Sequence, residues 1–501
     1  MRQPLLLVLC GVVAVAMYVP AIVAFSSRDM HVARAFFYGA TLLLILLLLI
    51  SVAVRSNPRS ASNRRQIVAL VAAYIGLPVV MAVPFYEGLE TTTFVNAYFE
   101  MLSSFTTTGA TVFDDPSRLV PALHLWRALV GWLGGFLLWL AAVAILAPLN
   151  LGGFELTTQT EAGSGLLDTS NQHSAASPAV RLMRHTVHLA PLYVGLSAAI
   201  AFLLWAFGDP GLVAITHAMS VMSSSGISAI GGLQNANSGF AGELLLFFMM
   251  FLAVSRLTFT TDGQHVSWPQ LRQDPEVQLA TLLVVGVSAM LFLRHFVGAI
   301  DVDAQDNFSE AVLALWGSIF TVLSFLTTTG FESSSWEAAR NWSGLPTPGL
   351  VLLGLAIIGG GVATTAGGVK LLRIYALYKH GTREVERLVH PSSISTTGAQ
   401  SRQIRRQGAF IAWVFAMIFA LCLAACMLAL SLTGLQFETS MVLTVAAMSN
   451  AGPLASVAAE LPISYAGIPD SAKLILTGAM VLGRLEALAL IALLNPEFWR
   501  G

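Results

Sequence analysis

Long apolar runs, short apolar runs and small polar turns follow one another along this chain in a fixed order. Runs long enough to cross a bilayer as helices lie at 5–25 and 35–54. From Ile67 onward, a unit of long run, short run, polar turn and long run occurs four times, at intervals of roughly 100 to 120 residues, too long for a solenoid repeat. The long runs are 67–85 and 123–148, 185–207 and 242–258, 277–297 and 349–378, and 409–430 and 472–494. Between the members of each pair lies a short run, at 94–105, 212–222, 311–326 and 437–448. These short runs of about 11 to 16 residues predict half-helices that enter and leave the membrane on one side, since about 20 residues are needed to cross it. Each ends in a polar turn: Thr106-Thr107-Thr108-Gly109, Ser223-Ser224-Ser225-Gly226, Thr327-Thr328-Thr329-Gly330 and Ser449-Asn450-Ala451-Gly452.

Composition makes this a membrane protein. Of 501 residues, 56% are apolar and only 11% charged, against about 25% charged in a soluble domain. A formal net charge of −1 leaves no basic excess for a nucleic-acid partner. Cys10, Cys422 and Cys426 sit within apolar runs as small packing residues, in neither zinc nor disulfide spacing. The run at 5–25 exceeds the 7–15 residues of a signal-peptide core and predicts a retained helix. Charge placement orients the rest. Basic links carrying Arg55, Arg59, Arg64 and Arg65, and later Lys379, Arg383, Arg387, Arg402, Arg405 and Arg406, belong in the cytoplasm, while Asp301, Asp303 and Asp306 fall outside. The expected architecture is all-α with ten transmembrane helices: an N-terminal pair and four pseudo-fourfold helix/pore-loop/helix repeats, both termini cytoplasmic.

Irregular backbone at membrane depth is tolerated only where protein buries it or a water-filled cavity adjoins it. One Ser/Thr/Gly turn is explained by helix packing alone; four at matching places predict a shared ion filter. A dehydrated alkali cation needs oxygen ligands in place of its water, and backbone carbonyls supply them. The filter residues expected on this reasoning are Thr107, Thr108 and Gly109, Ser224, Ser225 and Gly226, Thr328, Thr329 and Gly330, and Asn450, Ala451 and Gly452. Glycine permits the required dihedral angles, the hydroxyls anchor the turns, and each half-helix aims the negative end of its dipole at the ion.

Two further features stand out. The segment Gly359-Gly360-Gly361-Val362-Ala363-Thr364-Thr365-Ala366-Gly367-Gly368, followed by Lys370 and Arg373, interrupts the second long run of the third unit. A continuous helix is disfavoured there, at nearly 1 kcal/mol per glycine relative to alanine, leaving a small-residue packing surface or a loop. Arg484 lies in the last long run, where an unpaired arginine costs at least about 3 kcal/mol. Glu486, two positions away, is a poor partner for it on a helix. At about 10 Å from a passing cation, Arg484 would repel it by about 1.7 kcal/mol at an effective dielectric of 20.

Over nearly its whole length the chain resembles the membrane subunit of bacterial Trk potassium uptake systems, in the Trk/Ktr/HKT superfamily. The resemblance is carried by Ser104 to Val112 (SFTTTGATV), Trp132-Leu133-Gly134-Gly135, Gly359 to Lys370 (GGGVATTAGGVK), Arg387-Leu388-Val389-His390-Pro391, Asn450-Ala451-Gly452-Pro453, Gly483-Arg484-Leu485-Glu486 and the terminal Pro496-Glu497-Phe498-Trp499-Arg500. The two N-terminal runs favour the Trk type over the eight-span Ktr type. The resemblance implies potassium bound at the four turns, with glycine at all four marking potassium preference and no organic cofactor on this chain. It implies an intramembrane gate below the filter formed by Gly359, Gly360, Gly361, Thr364, Thr365, Gly367, Gly368 and Lys370, with Arg484 as a cationic barrier. It also implies a homodimer in the bacterial inner membrane, regulated by a cytosolic nucleotide-binding ring of the TrkA type. The second turn lacks the adjacent glycine pair common in that family, and Phe136 has no glycine after it.

The expected divisions are 1–66, an N-terminal helix pair; 67–150, the first pore repeat; 151–262, a cytoplasmic link and the second; 263–380, the third with its gating loop; and 381–501, a basic cytoplasmic link and the fourth. The basic link suits either anionic lipid or a docked regulator. Two other functions compete with channel-like conduction. One is an ion-coupled carrier working by alternating access, with Glu100, Glu310 or Glu438 relaying protons. The other is a membrane hydrolase; Gly226-Ile227-Ser228-Ala229-Ile230-Gly231 misses the G-x-S-x-G spacing and gives it little support.

Overall fold

A computed structural model describes residues 5–54, 63–147, 178–255, 268–298, 308–345, 347–389 and 408–485. Arg55, Arg59, Asp301, Asp303, Asp306, His390, Pro391, Arg402, Arg405, Arg406, Glu486 and the terminal 496–500 motif lie outside the described residues. Among the described residues the fold is entirely helical.

The N-terminal run is one hairpin arm broken at Met17 into α1 (Leu5–Ala16) and α2 (Tyr18–Ser26), followed by α3 (Met30–Val54). The first repeat comprises α4 (Asn63–Gly88), the pore helix α5 (Phe94–Phe105) and the inner helix α6 (Pro121–Ala141). The second has α7 (Pro178–Ala206), pore helix α8 (Gly211–Ser223) and inner helix α9 (Gly239–Met250). After the short α10 (Trp268–Gln273), the third has α11 (Pro275–Gly298), pore helix α12 (Phe308–Leu326), a surface helix α13 (Trp336–Ser343) and an inner helix split into α14 (Gly349–Ile358) and α15 (Leu371–Val389). The fourth has α16 (Gly408–Ser431), pore helix α17 (Phe437–Met448), one turn of helix α18 (Leu454–Val457) and inner helix α19 (Asp470–Leu485). Side-chain and proline signals set these boundaries. Thr93 caps α5 by accepting from the Asn96 amide at 3.3 Å. Pro121 opens α6 at the position where its missing N–H has no intrahelical partner.

Eight described helices are long and apolar enough to cross a membrane. Seven coincide with expected crossings; the eighth, Ser309–Leu326, is the third pore helix, whose length alone does not separate it from a span. The other three expected crossings are shorter. The inner helix α9 tightens into a 3-10 turn at Phe251–Ala253, and that of the third repeat breaks at the glycine-rich segment. The last, α19, is described only to Leu485.

The repeats close into a ring. Each pore helix packs against the inner helix of the preceding repeat: α8 on α6, α12 on α9, α17 on α14, and α5 on α19 of the last repeat. Outward-facing helices stay apolar on their exposed side, as at Leu42, Leu48, Leu282, Phe410 and Leu421, which is what a lipid-facing surface requires. Inside the ring the polar character inverts, and every residue from Thr106 to Thr108, Ser223 to Ser225 and Thr327 to Thr329 is buried.

Candidate ion pathway

The four pore helices end in one backbone pattern. Two residues before each glycine the chain turns left-handed, at Thr107 (φ 54°), Ser224 (49°), Thr328 (54°) and Asn450 (52°). The amide of that residue donates to the carbonyl three positions back, at 2.8 Å in the first turn, 3.3 Å in the second, and 3.2 Å in the third and fourth. The next amide donates five positions back, at 2.8, 3.0, 2.8 and 2.9 Å in order. This paired bonding is a Schellman helix end, a place usually given to glycine. Here a hydroxyl supports it instead. Thr106 donates to Leu102 O at 2.8 Å, Ser223 to Met219 O at 2.8 Å, Thr327 to Leu323 O at 2.9 Å and Ser449 to Val445 O at 2.5 Å. With these N–H groups engaged at the helix end, carbonyl oxygens are the backbone groups each turn can still offer.

The turns also meet edge to edge. A Cβ built on Gly109, which sits at φ 72°, would overlap the Ser225 carbonyl oxygen, and one on Gly226 would overlap that of Thr329. On Gly330 it would lie 2.7 Å from Pro453 Cγ, and on Gly452 2.6 Å from Ala110 Cα. First thus abuts second, second third, third fourth, and fourth first. The glycines in two sequence motifs serve the same convergence. A Cβ on Gly134 of α6 would overlap Phe105 O, and one on Gly483 of α19 would overlap Met448 O, so both inner helices touch the ends of their pore helices.

The second and fourth turns differ in sequence from the Thr-Thr-Thr-Gly shared by the first and third. The second follows the shared pattern in full. The fourth departs, and Pro453 is the reason: the residue before a proline is driven out of helical conformations, and Gly452, unlike the other three glycines, does not take a positive φ. Its amide donates to Thr108 O at 2.6 Å, and Tyr465 Oη donates to its carbonyl at 3.0 Å. The Pro453 ring rests against the other three turns, 3.0 Å from a Cβ built on Gly226 and 3.7 Å from one on Gly109.

Below the turns the glycine-rich segment folds back as a loop between α14 and α15. Its ends are tied together by the Val369 amide on Ile357 O at 2.9 Å, Lys370 on Ile358 O at 2.8 Å and Leu371 on Gly360 O at 2.9 Å. Its flanks are tied to the ring: Val362 N donates to the buried carboxylate of Glu276 at 2.7 Å, and Gly361 N to Ala253 O at 3.0 Å. The loop touches the turns directly, with Gly367 N donating to Thr328 Oγ1 at 2.7 Å. Lys370 Nζ folds back onto Ala366 O, and the Arg373 guanidinium stacks 3.8 Å from the Phe415 ring centre.

Arg484, only 4% exposed, joins loop to turn. Its Nη1 donates to Thr365 O at 2.7 Å and its Nη2 to Thr107 Oγ1. That is far closer to the turns than the 10 Å separation assumed from sequence. A crevice of about 380 Å³, lined by Leu138, Ala142, Ala363, Thr364, Lys370 and Arg484 among others, lies beneath this junction. Sequence reasoning named Glu100 but missed Arg127, His217 and Glu243 behind the turns. The Arg127 guanidinium meets Glu100 at 2.6 Å, His217 meets Ser228, and Glu243 reaches Ser334 N in the segment that leaves the third turn. The available signal was a single charge in each of two otherwise apolar inner helices.

A family model described as TrkH, cation transport protein, matches residues 277–498. The Trk system potassium uptake protein TrkH of Salmonella typhimurium is 30% identical over 493 residues, covering 97% of this chain and 96% of that protein. The chain belongs to the TrkH family. The Escherichia coli K12 TrkH is 29% identical over 495 residues, with the same coverage of 97% and 96%. The crystal structure of the potassium transporter TrkH from Vibrio parahaemolyticus matches with a TM-score of 0.82 at 26% identity, over 99% of this chain and 98% of that one. As a TrkH-family protein built of apolar spanning helices, the chain is an integral protein of the bacterial inner membrane.

Proposed function

We propose that this chain takes up potassium through a channel-like pore whose filter is the four-turn ring and whose gate is the loop between Gly359 and Lys370. Potassium uptake is the activity named in its TrkH relatives. The observation that most supports the filter is the common helix-end geometry at Thr107, Ser224, Thr328 and Asn450, which aims four dipole ends and their carbonyls at one place. In this reading Thr107, Thr108, Gly109, Ser224, Ser225, Gly226, Thr328, Thr329, Gly330, Asn450, Ala451 and Gly452 form the potassium site. The bond from Gly367 N to Thr328 Oγ1 and those from Arg484 to Thr365 and Thr107 support a closed gate held against the filter. The repeat boundaries at 67, 151, 263 and 381 follow from the same assignment. A homodimer controlled by a cytosolic TrkA-type nucleotide-binding ring completes it.

Gly109→Ser tests the filter. The new Cβ collides with the Ser225 carbonyl at a left-handed backbone position, so potassium over sodium discrimination falls in proteoliposome flux. Unchanged discrimination in a well-folded variant removes the assignment. Unitary currents from single reconstituted proteins separate a pore from alternating access, which cannot produce them.

A further inference from the structure

The residue nine positions before each turn glycine occupies equivalent places on the four pore helices: Glu100, His217, Thr321 and Leu443. Three of these are polar, and all three are buried at 0% exposure. Each reaches across to the strand that leaves its own turn. Glu100 Oε2 accepts from Val112 N at 3.0 Å, three residues past Gly109. Thr321 Oγ1 accepts from Ser333 N at 3.3 Å, three residues past Gly330. His217 Nε2 pairs with Ser228 Oγ at 2.9 Å, two residues past Gly226. The fourth repeat has Leu443, which makes no such bond, and its turn is the one that departs from the shared geometry, held instead by Tyr465 on Gly452 O. Chemically different side chains have thus been put to one geometric use in three repeats.

Two inner-helix charges reinforce the contact. Arg127 of α6 neutralises Glu100 at 2.6 Å with both side chains almost wholly enclosed. Glu243 of α9 takes Ser334 N at 2.6 Å and Ser333 Oγ at 2.8 Å, with Trp316 Nε1 also on it at 2.8 Å. A loop strand pinned by its amides has few ways to relax, and a filter tells ions apart only while its carbonyls keep their spacing.

We propose that this position is a brace: Glu100, His217 and Thr321 are positioning residues that fix the exit strands of the first three turns and thereby set ion discrimination without touching the ion. The proposal rests on the filter reading above. Its test measures the potassium-to-sodium permeability ratio of the purified full-length protein in proteoliposomes, beside maximal potassium flux. Two neutral pairs are compared, Glu100→Leu/Arg127→Leu and Glu100→Gln/Arg127→Leu. Both delete the buried charges; only the second keeps an acceptor for Val112 N. The first is expected to lower the ratio about fivefold, the weight of one net hydrogen bond, and the second to restore most of it, with maximal flux altered less than the ratio. Equal ratios in the two pairs overturn the proposal. If neither pair yields monodisperse protein, Ser228→Ala decides: it removes the hydroxyl that His217 holds and that also accepts from Ile230 N, and an unchanged ratio there overturns the brace. Gly109→Ser runs alongside. If it alone changes the ratio, the filter stands and the brace fails; if it too leaves the ratio unchanged, the filter reading itself has failed.

Discussion

Arg484→Ala bears most directly on how conduction is restrained. The guanidinium bonds to both Thr365 O of the loop and Thr107 Oγ1 of the first turn, so in the proposed filter its charge lies within one side chain's reach of any ion leaving the turns. At about 6 Å and an effective dielectric near 20, the repulsion is about 3 kcal/mol. Since 1.4 kcal/mol is a factor of ten in rate, removing the charge raises flux by at most about 100-fold. Truncation also leaves two buried acceptors without their donor, at about 1–3 kcal/mol each. Those acceptors include a carbonyl of the proposed gate loop, so the loop loosens as the barrier falls, and the two effects add in the same direction. Electrode-monitored potassium efflux from proteoliposomes of matched protein content reads the change. Arg484→Lys is the informative companion, because it keeps the charge and loses the two-pronged grip. The barrier reasoning expects Lys to conduct far less than Ala. Equal, raised flux in both variants would refute a charge barrier and leave only a mechanical latch.

Three other expectations follow from the geometry. Thr328→Val removes the acceptor for Gly367 N and nothing larger than a hydroxyl, so basal flux should rise several-fold in the absence of any regulator, measured in the same efflux assay. Deleting Ala363 to Thr365 shortens the loop and should raise it further; a closed-state conductance equal to that of the parent would strip the loop of its gating role. Glu332, in the loop after the third turn, has its carboxyl raised above the ordinary range, first by burial, against the lowering effect of the Ser456 hydroxyl. A raised folded-state value means the fold holds the proton more tightly than the unfolded chain. Stability therefore falls as pH rises from the ordinary carboxylate range through that raised value. Glu332→Gln should flatten this dependence in thermal-denaturation scans across that window, and a slope identical to the parent's would exclude Glu332 as its source.

The four turns were legible because hydroxyls and glycine are conspicuous in an apolar chain and because they recur in register. The proposed repeat boundaries rest on the same recurrence. Helix length was a poorer guide: α12 is as long as a span, while α9 and α14 are shorter than one, since a ring of pore helices is defined by where each ends rather than by how far it runs. The charges that back the turns were hidden for a different reason. Arg127 and Glu243 look like isolated charges in apolar helices, and nothing local says that one serves its own repeat and the other the next. The behaviour of Gly452 was visible in principle, because Pro453 follows it directly, but counting glycines treats all four turns alike.

Closure of the ring has a consequence for how the protein is made. The first pore helix is flanked by α19, and Thr107 and Thr108 take side-chain bonds from Arg484 and Asn450, 377 and 342 residues later in the chain. The earliest of the four turns to leave the ribosome is therefore completed by the last of the described helices. Until then its buried hydroxyls lack their final partners, and the partly built protein must wait in the membrane with a notch in its side. Contacts that distant slow assembly and lengthen the exposure of unfinished surfaces. Nascent chains halted before Asp470 should accordingly be the ones that quality-control proteases find.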